Sequence, residues 1–209
     1  MKKITMLSAV AGCVLASCVG NPEGKKAETT DAVGAALEAA GAAYTVDPQA
    51  SKLAWTAAKV TATHNGTVDI KSGELLVDGD KIAGGRFVVD MPTLVDVSLE
   101  GQANEMLTGH LKSNDFFDVE NHPEATFEIT GVEAGETENS LKVSGDLTIR
   151  GTSKNITFDA TVAELTDASA KVDADFNIAR EDWGVTYTGK ADDLISKEIN
   201  FKVSLVAVK

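Results

Sequence analysis

Three observations predict an all-β fold, an antiparallel eight-stranded barrel with a short helix near one opening. Apolar and polar residues alternate with period two in segment after segment. Polar breaks of hairpin length separate the segments. Only one stretch carries helical spacing. Leu141, Val143, Leu147 and Ile149 alternate with Lys142, Ser144, Asp146, Thr148 and Arg150. Ile156, Phe158, Ala160 and Val162 do the same, as do Val172, Ala174, Phe176 and Ile178, then Ala125, Phe127 and Ile129, and finally Ile199, Phe201, Val203, Leu205 and Ala207. Each reads as a strand with one face in a core and the other in water. With strands near 53–61, 67–77 and 82–91 the count reaches about eight, a number that closes a barrel. A two-sheet sandwich is the alternative.

Turn signals punctuate the strands. Asp78-Gly79 is a favoured hairpin dipeptide, and GETENS, RGTSKN and TDASA are polar breaks. His64 adjoins Asn65-Gly66, which reads as another turn. Between 99 and 113, Leu99, Ala103, Met106, Leu107, His110 and Leu111 recur at spacings of three and four, the mark of a helix. That helix runs into NDFFDVENHP, where Asn121 and Pro123 stop it and a strand begins at Glu124. Phe116 and Phe117 cannot both face inward from a regular strand. Irregular backbone at this junction lets both turn in, as a plug against one barrel end.

The N-terminus has a different grammar. Lys2 and Lys3 precede an apolar run of roughly 4–16, too short to span a bilayer and laid out as an export signal. Leu15-Ala16-Ser17-Cys18 looks like a bacterial lipobox, so residues 1–17 are expected to be a lipoprotein signal peptide and Cys18 the site of lipid attachment. Residues 18–43 then form the lipidated cysteine and a flexible linker rich in Ala, Gly, Glu and Thr, with an expected reach of ~25–30 Å. Residues 44–209 are the barrel domain. Val19 is not the aspartate associated with inner-membrane retention, so the expected location is the outer membrane, facing the periplasm.

Composition removes whole classes of function. The net charge is −13, from 32 Asp+Glu against 19 Lys+Arg, and anionic lipid or nucleic acid is repelled by such a surface. Membrane attachment therefore falls to the Cys18 anchor. Cys13 and Cys18 are the only cysteines, which leaves residues 44–209 without a disulfide or a thiolate metal site. His64, His110 and His122 match no metal-ligand spacing. No G-x-S-x-G, P-loop or G-x-G-x-x-G occurs, so no catalytic residue, metal or cofactor is implied. An enzyme acting on lipid would have to use His110, Asp115 and Asp118, the nearest polar cluster.

The barrel interior remains. Small residues at Ala54, Ala57, Ala58, Ala83, Gly84, Gly85, Ala125, Ala160 and Ala174 either leave an apolar cavity or mark tight strand curvature. Both readings stand on sequence alone. Alternation places Trp55, Phe87, Phe127, Leu147, Phe158, Phe176 and Phe201 inward, and the irregular junction adds Phe116 and Phe117, as candidate ligand-binding residues of an apolar channel.

In order, YTVDPQASKLAWTAAKV, HLKSNDFFDVENHPEATFEI, GDLTIRGTSKNITF and IAREDWGVTYTG…EINFKVSLVAVK resemble the signatures of the bacterial YceI-like family, across essentially all of 44–209. The matching positions are Asp47-Pro48, His110-Leu111-Lys112, Asp115-Phe116-Phe117-Asp118, Pro123, Phe127, Gly145-Asp146-Leu147-Thr148, Arg150-Gly151 and Gly184. The resemblance implies a lipocalin-like barrel that binds a long amphiphile: an isoprenoid quinone, a polyprenyl phosphate or a fatty-acid derivative. Ala50-Ser51 stands where relatives often carry His-Ser, and Ala57 and Ala58 where bulkier residues are common. The expected function is a non-enzymatic, lipid-anchored periplasmic binding protein for an isoprenoid or acyl-chain lipid. The alternative is a structural or adaptor lipoprotein with a packed barrel. Nucleic acid is excluded as a partner, and a homodimer stays open.

Overall fold

The structure is a computed structural model that describes residues 20–34 and 40–209. The signal segment 1–17 and the lipid attachment at Cys18 lie outside the described residues. In chain order the elements are β1 (Lys25–Lys26), β2 (Glu28–Asp31), β3 (Ala42–Val46), β4 (Lys52–Lys59), β5 (Ala62–Asp78), β6 (Lys81–Asp96), α1 (Gly101–Lys112), β7 (Glu124–Ala134), β8 (Ser140–Ile149), β9 (Thr152–Leu165), β10 (Ser169–Ala179), a 3-10 turn (Arg180–Trp183), β11 (Gly189–Lys190) and β12 (Asp193–Val208).

Eight strand positions close the barrel. The strands β5 to β10 pair antiparallel in sequence order, β10 pairs β12, and β12 returns to β5 through β3 and β4. The strands β3 and β4 share one position, broken at Asp47-Pro48. There the Asp47 carboxylate accepts from Gln49 N at 2.9 Å and Ala50 N at 3.2 Å, an Asx turn. Register shifts between β5 and β6 at Thr67/Asp69, Ile70/Ser72 and Leu76/Val77 let these long strands bend around the barrel. The β8–β9 turn has both central residues at positive φ, Arg150 at 51° and Gly151 at 72°, as a tight hairpin demands.

Asn65-Gly66 is not a turn. Both residues lie inside β5, and the chain reverses earlier, between Lys59 and Ala62. Gly66 is there because a Cβ at that position would sit 1.9 Å from Val95 O and 2.5 Å from the Trp55 ring. Close approach, not turning, explains this glycine.

The expected flexible linker over 18–43 is ordered barrel over much of its described length. The ladder between β9 and β10 holds only from Ala160↔Ala174 to Leu165↔Ala170; beyond it the two strands part. Residues 25–31 fill the seam. Here β1 runs parallel to β10 at Phe176 and Asn177, while β2 runs antiparallel to β9 from Lys154 to Thr157. Ala27, between them, is 4% exposed and donates its N–H to Asn177 O at 2.8 Å. Asn177 Nδ2 donates to Pro22 O, Ser196 Oγ to Asn21 Oδ1, and the Asp146 carboxylate accepts from Val33 N and Gly34 N. Composition missed this because the segment buries almost no side chain of its own. It completes a sheet with backbone hydrogen bonds, which any sequence can supply.

One barrel end carries α1, the 113–123 loop and the 3-10 turn. Asp96, 1% exposed, organises the start of α1 by accepting from Ser98 N and Leu99 N. Asn104 Nδ2 donates to Asp96 O. Leu107 and Leu111 pack into the cluster containing Met91, Leu94, Phe116 and Val119. At the far end a second cluster around Tyr44, Val46, Leu75, Val77, Ile82, Ala170 and Ala207 closes the barrel floor.

Candidate functional site

An apolar cavity of about 210 Å³ runs along the barrel axis. Of its 34 lining residues, 32 are apolar; Arg180 and Ser196 are the exceptions. Ile82 near the floor and Leu94 near the mouth both line it. Twelve residues of strand, at ~3.3 Å each and a tilt of ~40°, make the cavity about 25–30 Å long. It is therefore long and narrow, with a shape suited to a hydrocarbon chain.

Each of the nine candidate channel residues lines this cavity: Trp55, Phe87, Phe116, Phe117, Phe127, Leu147, Phe158, Phe176 and Phe201. Five phenylalanines form a belt. Ring centroids are 6.4 Å apart for Phe87–Phe127, 5.6 Å for Phe127–Phe158, 4.1 Å for Phe158–Phe176 and 6.0 Å for Phe176–Phe201. Register explains the contacts. Phe87 stands opposite Phe127, Phe176 opposite Phe201, and Phe201 opposite Trp55.

Glycines on neighbouring strands make room for the largest rings. A Cβ on Gly145 would meet Phe127 Cζ at 2.3 Å, and one on Gly73 would meet Phe87 Cδ1 at 2.8 Å. Each ring occupies space that a side chain on the neighbouring strand would fill, and a cavity stays open beside the belt. Of the small residues weighed for a cavity, Ala57, Ala125, Ala160 and Ala174 line it. Ala54, Ala58, Ala83, Gly84 and Gly85 do not.

The mouth is built by the helix-to-strand junction. Phe116 N donates to Ser113 O, Phe117 N to Leu111 O and Asp118 N to Ser113 O; Asp118 takes φ 49°. This tight irregular path turns two consecutive phenylalanines inward, which a strand cannot do. Arg150 Nη1 donates to Phe116 O at 2.9 Å and to Gly184 O at 3.2 Å, stitching the junction to the loop after the 3-10 turn.

The histidines are dispersed. His64 Nδ1 meets Ser98 Oγ at 3.0 Å. His110 Nε2 lies 3.0 Å from Asp115 Oδ2, with its ring edge-on to Phe116 and Tyr187. His122 lies against Gly151 and 3.8 Å from Asp118. Among the described residues no three His, Cys, Asp or Glu side chains gather as a metal site would require. Among the described residues no hydroxyl hydrogen-bonds to the His110 ring, whose one side-chain partner is Asp115; Ser113 Oγ donates to the His110 carbonyl instead.

Arg180 is the lining residue that residue-type reasoning passed over. It is 2% exposed, with Nε donating to Ser196 O at 2.8 Å and Nη1 to Val185 O at 2.5 Å. Burial pushes its pKa down, against a smaller upward pull from Glu181. The signal was present: 172, 174, 176 and 178 face inward, and 180 is the next step of the same alternation.

Residues 44–207 match the YceI-like domain. A UPF0312 protein of Pseudomonas putida (strain W619) is 29% identical over 197 residues, covering 88% of this chain and 98% of that one. Among solved structures, Burkholderia cenocepacia BcnA superposes with a TM-score of 0.65 at 24% identity, covering 78% of this chain and 99% of its own. A polyisoprenoid binding domain from Saccharophagus degradans, implicated in plant cell wall breakdown, superposes with a TM-score of 0.62 at 18% identity, covering 79% and 97%. A family match over most of the chain, on a barrel of the shape those structures share, makes this protein a member of the YceI-like family.

Proposed function

We propose that this protein is a carrier that holds the hydrocarbon part of a long-chain amphiphile inside its barrel, without catalysing a reaction on it. The cavity carries the reading: about 210 Å³, long, narrow and walled by carbon. Water gains little in such a space, whereas ten methylenes moved from water into it contribute on the order of 8 kcal/mol gross, at about 0.8 per CH₂. That gross figure alone corresponds to micromolar affinity, so the association costs have to be offset by burying the further methylenes of a longer chain. The related Saccharophagus degradans domain is described as polyisoprenoid binding, which supports an isoprenoid quinone or polyprenyl phosphate; a fatty-acid derivative fits the same wall. A packed structural barrel is the weaker reading, because a cavity of about 210 Å³ stays open beside the belt of rings.

The same proposal places the protein in a bacterial envelope, exported and anchored through a lipid on Cys18, on the periplasmic face of the outer membrane. Native mass spectrometry of residues 20–209, followed by organic extraction, tests the carrier. The expected result is a one-to-one adduct that extracts as a polyprenyl or acyl compound. A clean apo mass from several hosts, with no uptake of added quinone, polyprenyl phosphate or fatty acid, returns the barrel to a structural role.

A further inference from the structure

The cavity wall holds a buried charge with no ion-pair partner among the described residues. Arg180 lines the cavity and is 2% exposed. A guanidinium has five N–H donors. Among the described residues two are taken, both by neutral carbonyls, Ser196 O and Val185 O. No carboxylate there lies within ion-pair distance of it. Glu181, its chain neighbour, pairs instead with Lys197 at 3.1 Å. An isolated buried cation is costly unless it finds an anion.

A second donor faces the same problem. Trp55 lines the cavity and its Nε1 is buried with no hydrogen-bond acceptor. It sits on β4, one inward position deeper than Ala57, and Ala57 pairs with Ile199 on the strand that carries Ser196. The one other polar lining side chain, Ser196, gives its hydroxyl to Asn21 Oδ1 at 2.7 Å. The polar equipment of this wall is therefore an excess of donors and one net positive charge. Such a wall is complementary to a group made of acceptors only.

We infer that the mouth-side wall of the cavity is a recognition site for an anionic headgroup, a carboxylate or phosphate seated on the Arg180 guanidinium with its hydrocarbon tail running toward the barrel floor. This rests on the carrier reading and narrows it from any long chain to an acidic amphiphile. Charge-assisted hydrogen bonds from a guanidinium are short and strong, and two acceptor oxygens engage the fork together. A cationic or donor-rich head meets an unpaired cation instead.

The test compares ligands of one chain length and different heads on residues 20–209. Hexadecanoate, hexadecyl phosphate and hexadecan-1-ol compete with a bound fluorescent apolar dye at pH 8. The expected result is that at least one anion displaces the dye about tenfold or more better than the alcohol, the scale of one charge-assisted hydrogen bond. Which anion does so identifies the head. Arg180→Met, checked for an unchanged fold by circular dichroism, removes the preference, so that the anions displace the dye no better than the alcohol does. Equal displacement by all three in the unsubstituted protein overturns the headgroup site and leaves the carrier standing. Displacement by none overturns the carrier itself. Because the first comparison uses no variant, a failure of Arg180→Met to fold does not protect the inference.

Discussion

At the scale of single residues, the cavity depends on where side chains are missing. Phe127 lies over Gly145, so Gly145→Ala puts a methyl where the ring edge now is, 2.3 Å from Cζ. Overpacking of this kind costs about 1–3 kcal/mol, visible as a lower denaturant midpoint. An unchanged midpoint means the ring can leave the wall freely. Phe117→Asp attacks the mouth instead. It places a carboxylate against the cavity lining, and retained lipid is expected to vanish from the mass spectrum while the fold persists. Unchanged lipid content rejects the plug. Alternation alone identified the belt, since a residue's inward direction follows from strand parity. It did not identify Arg180, because charged residues are sorted to the surface by type before parity is consulted. Asn65-Gly66 shows the opposite error: a favoured turn dipeptide is used for its missing side chain, and only the Trp55 ring across from it reveals why.

At the scale of elements, the segment over 21–34 is held to the barrel by backbone pairing, by the contacts of Asn21 and Pro22 with Ser196 and Asn177, by the exposed ion pairs Lys25–Asp159 and Asp31–Lys154, and by the Asp146 carboxylate. Asp146 accepts from Asn155 Nδ2 at 2.7 Å, Gly34 N at 2.7 Å and Val33 N at 3.0 Å. Burial alone would raise its pKa, but these hydrogen bonds outweigh burial and hold the carboxyl below the usual carboxylate range. A group depressed in the folded state adds stability that is complete above its unfolded pKa, about 3.9, and is lost as pH falls through the folded value. Hydrogen exchange over 25–34 is therefore expected to be pH-independent in its opening free energy from 7 down to about 5, and to loosen below about 4. Loosening that begins near neutrality assigns the hold to another group. Ala27→Glu tests the seam directly: a charge at a position 4% exposed should detach β1 and β2 and raise protease cleavage near residue 27, with β3 to β12 still folded. Strands with an apolar face were legible in the sequence because burial writes period two into the chain. The seam strands were not, because their stabilisation lies in main-chain hydrogen bonds that leave no compositional trace.

At the scale of the whole molecule, the barrel combines an apolar lumen with an exterior of net charge −13, and such an exterior does not adsorb to anionic lipid unaided. The docked N-terminal segment changes what an anchor would do. A free coil from Cys18 to residue 43 would let the barrel range over ~25–30 Å. With Asn21 hydrogen-bonded to Ser196 and Pro22 to Asn177, the leash shrinks to the three residues after Cys18, at most about 10 Å. Both contacts lie at the end of the barrel that carries α1 and the 113–123 loop. On the proposed lipid anchoring, the protein is not a buoy on a line but a stopper held mouth-down on the bilayer. Met106 of α1, 69% exposed, is among the apolar side chains at that end. A ligand leaving the membrane would then pass into the barrel without a journey through open water.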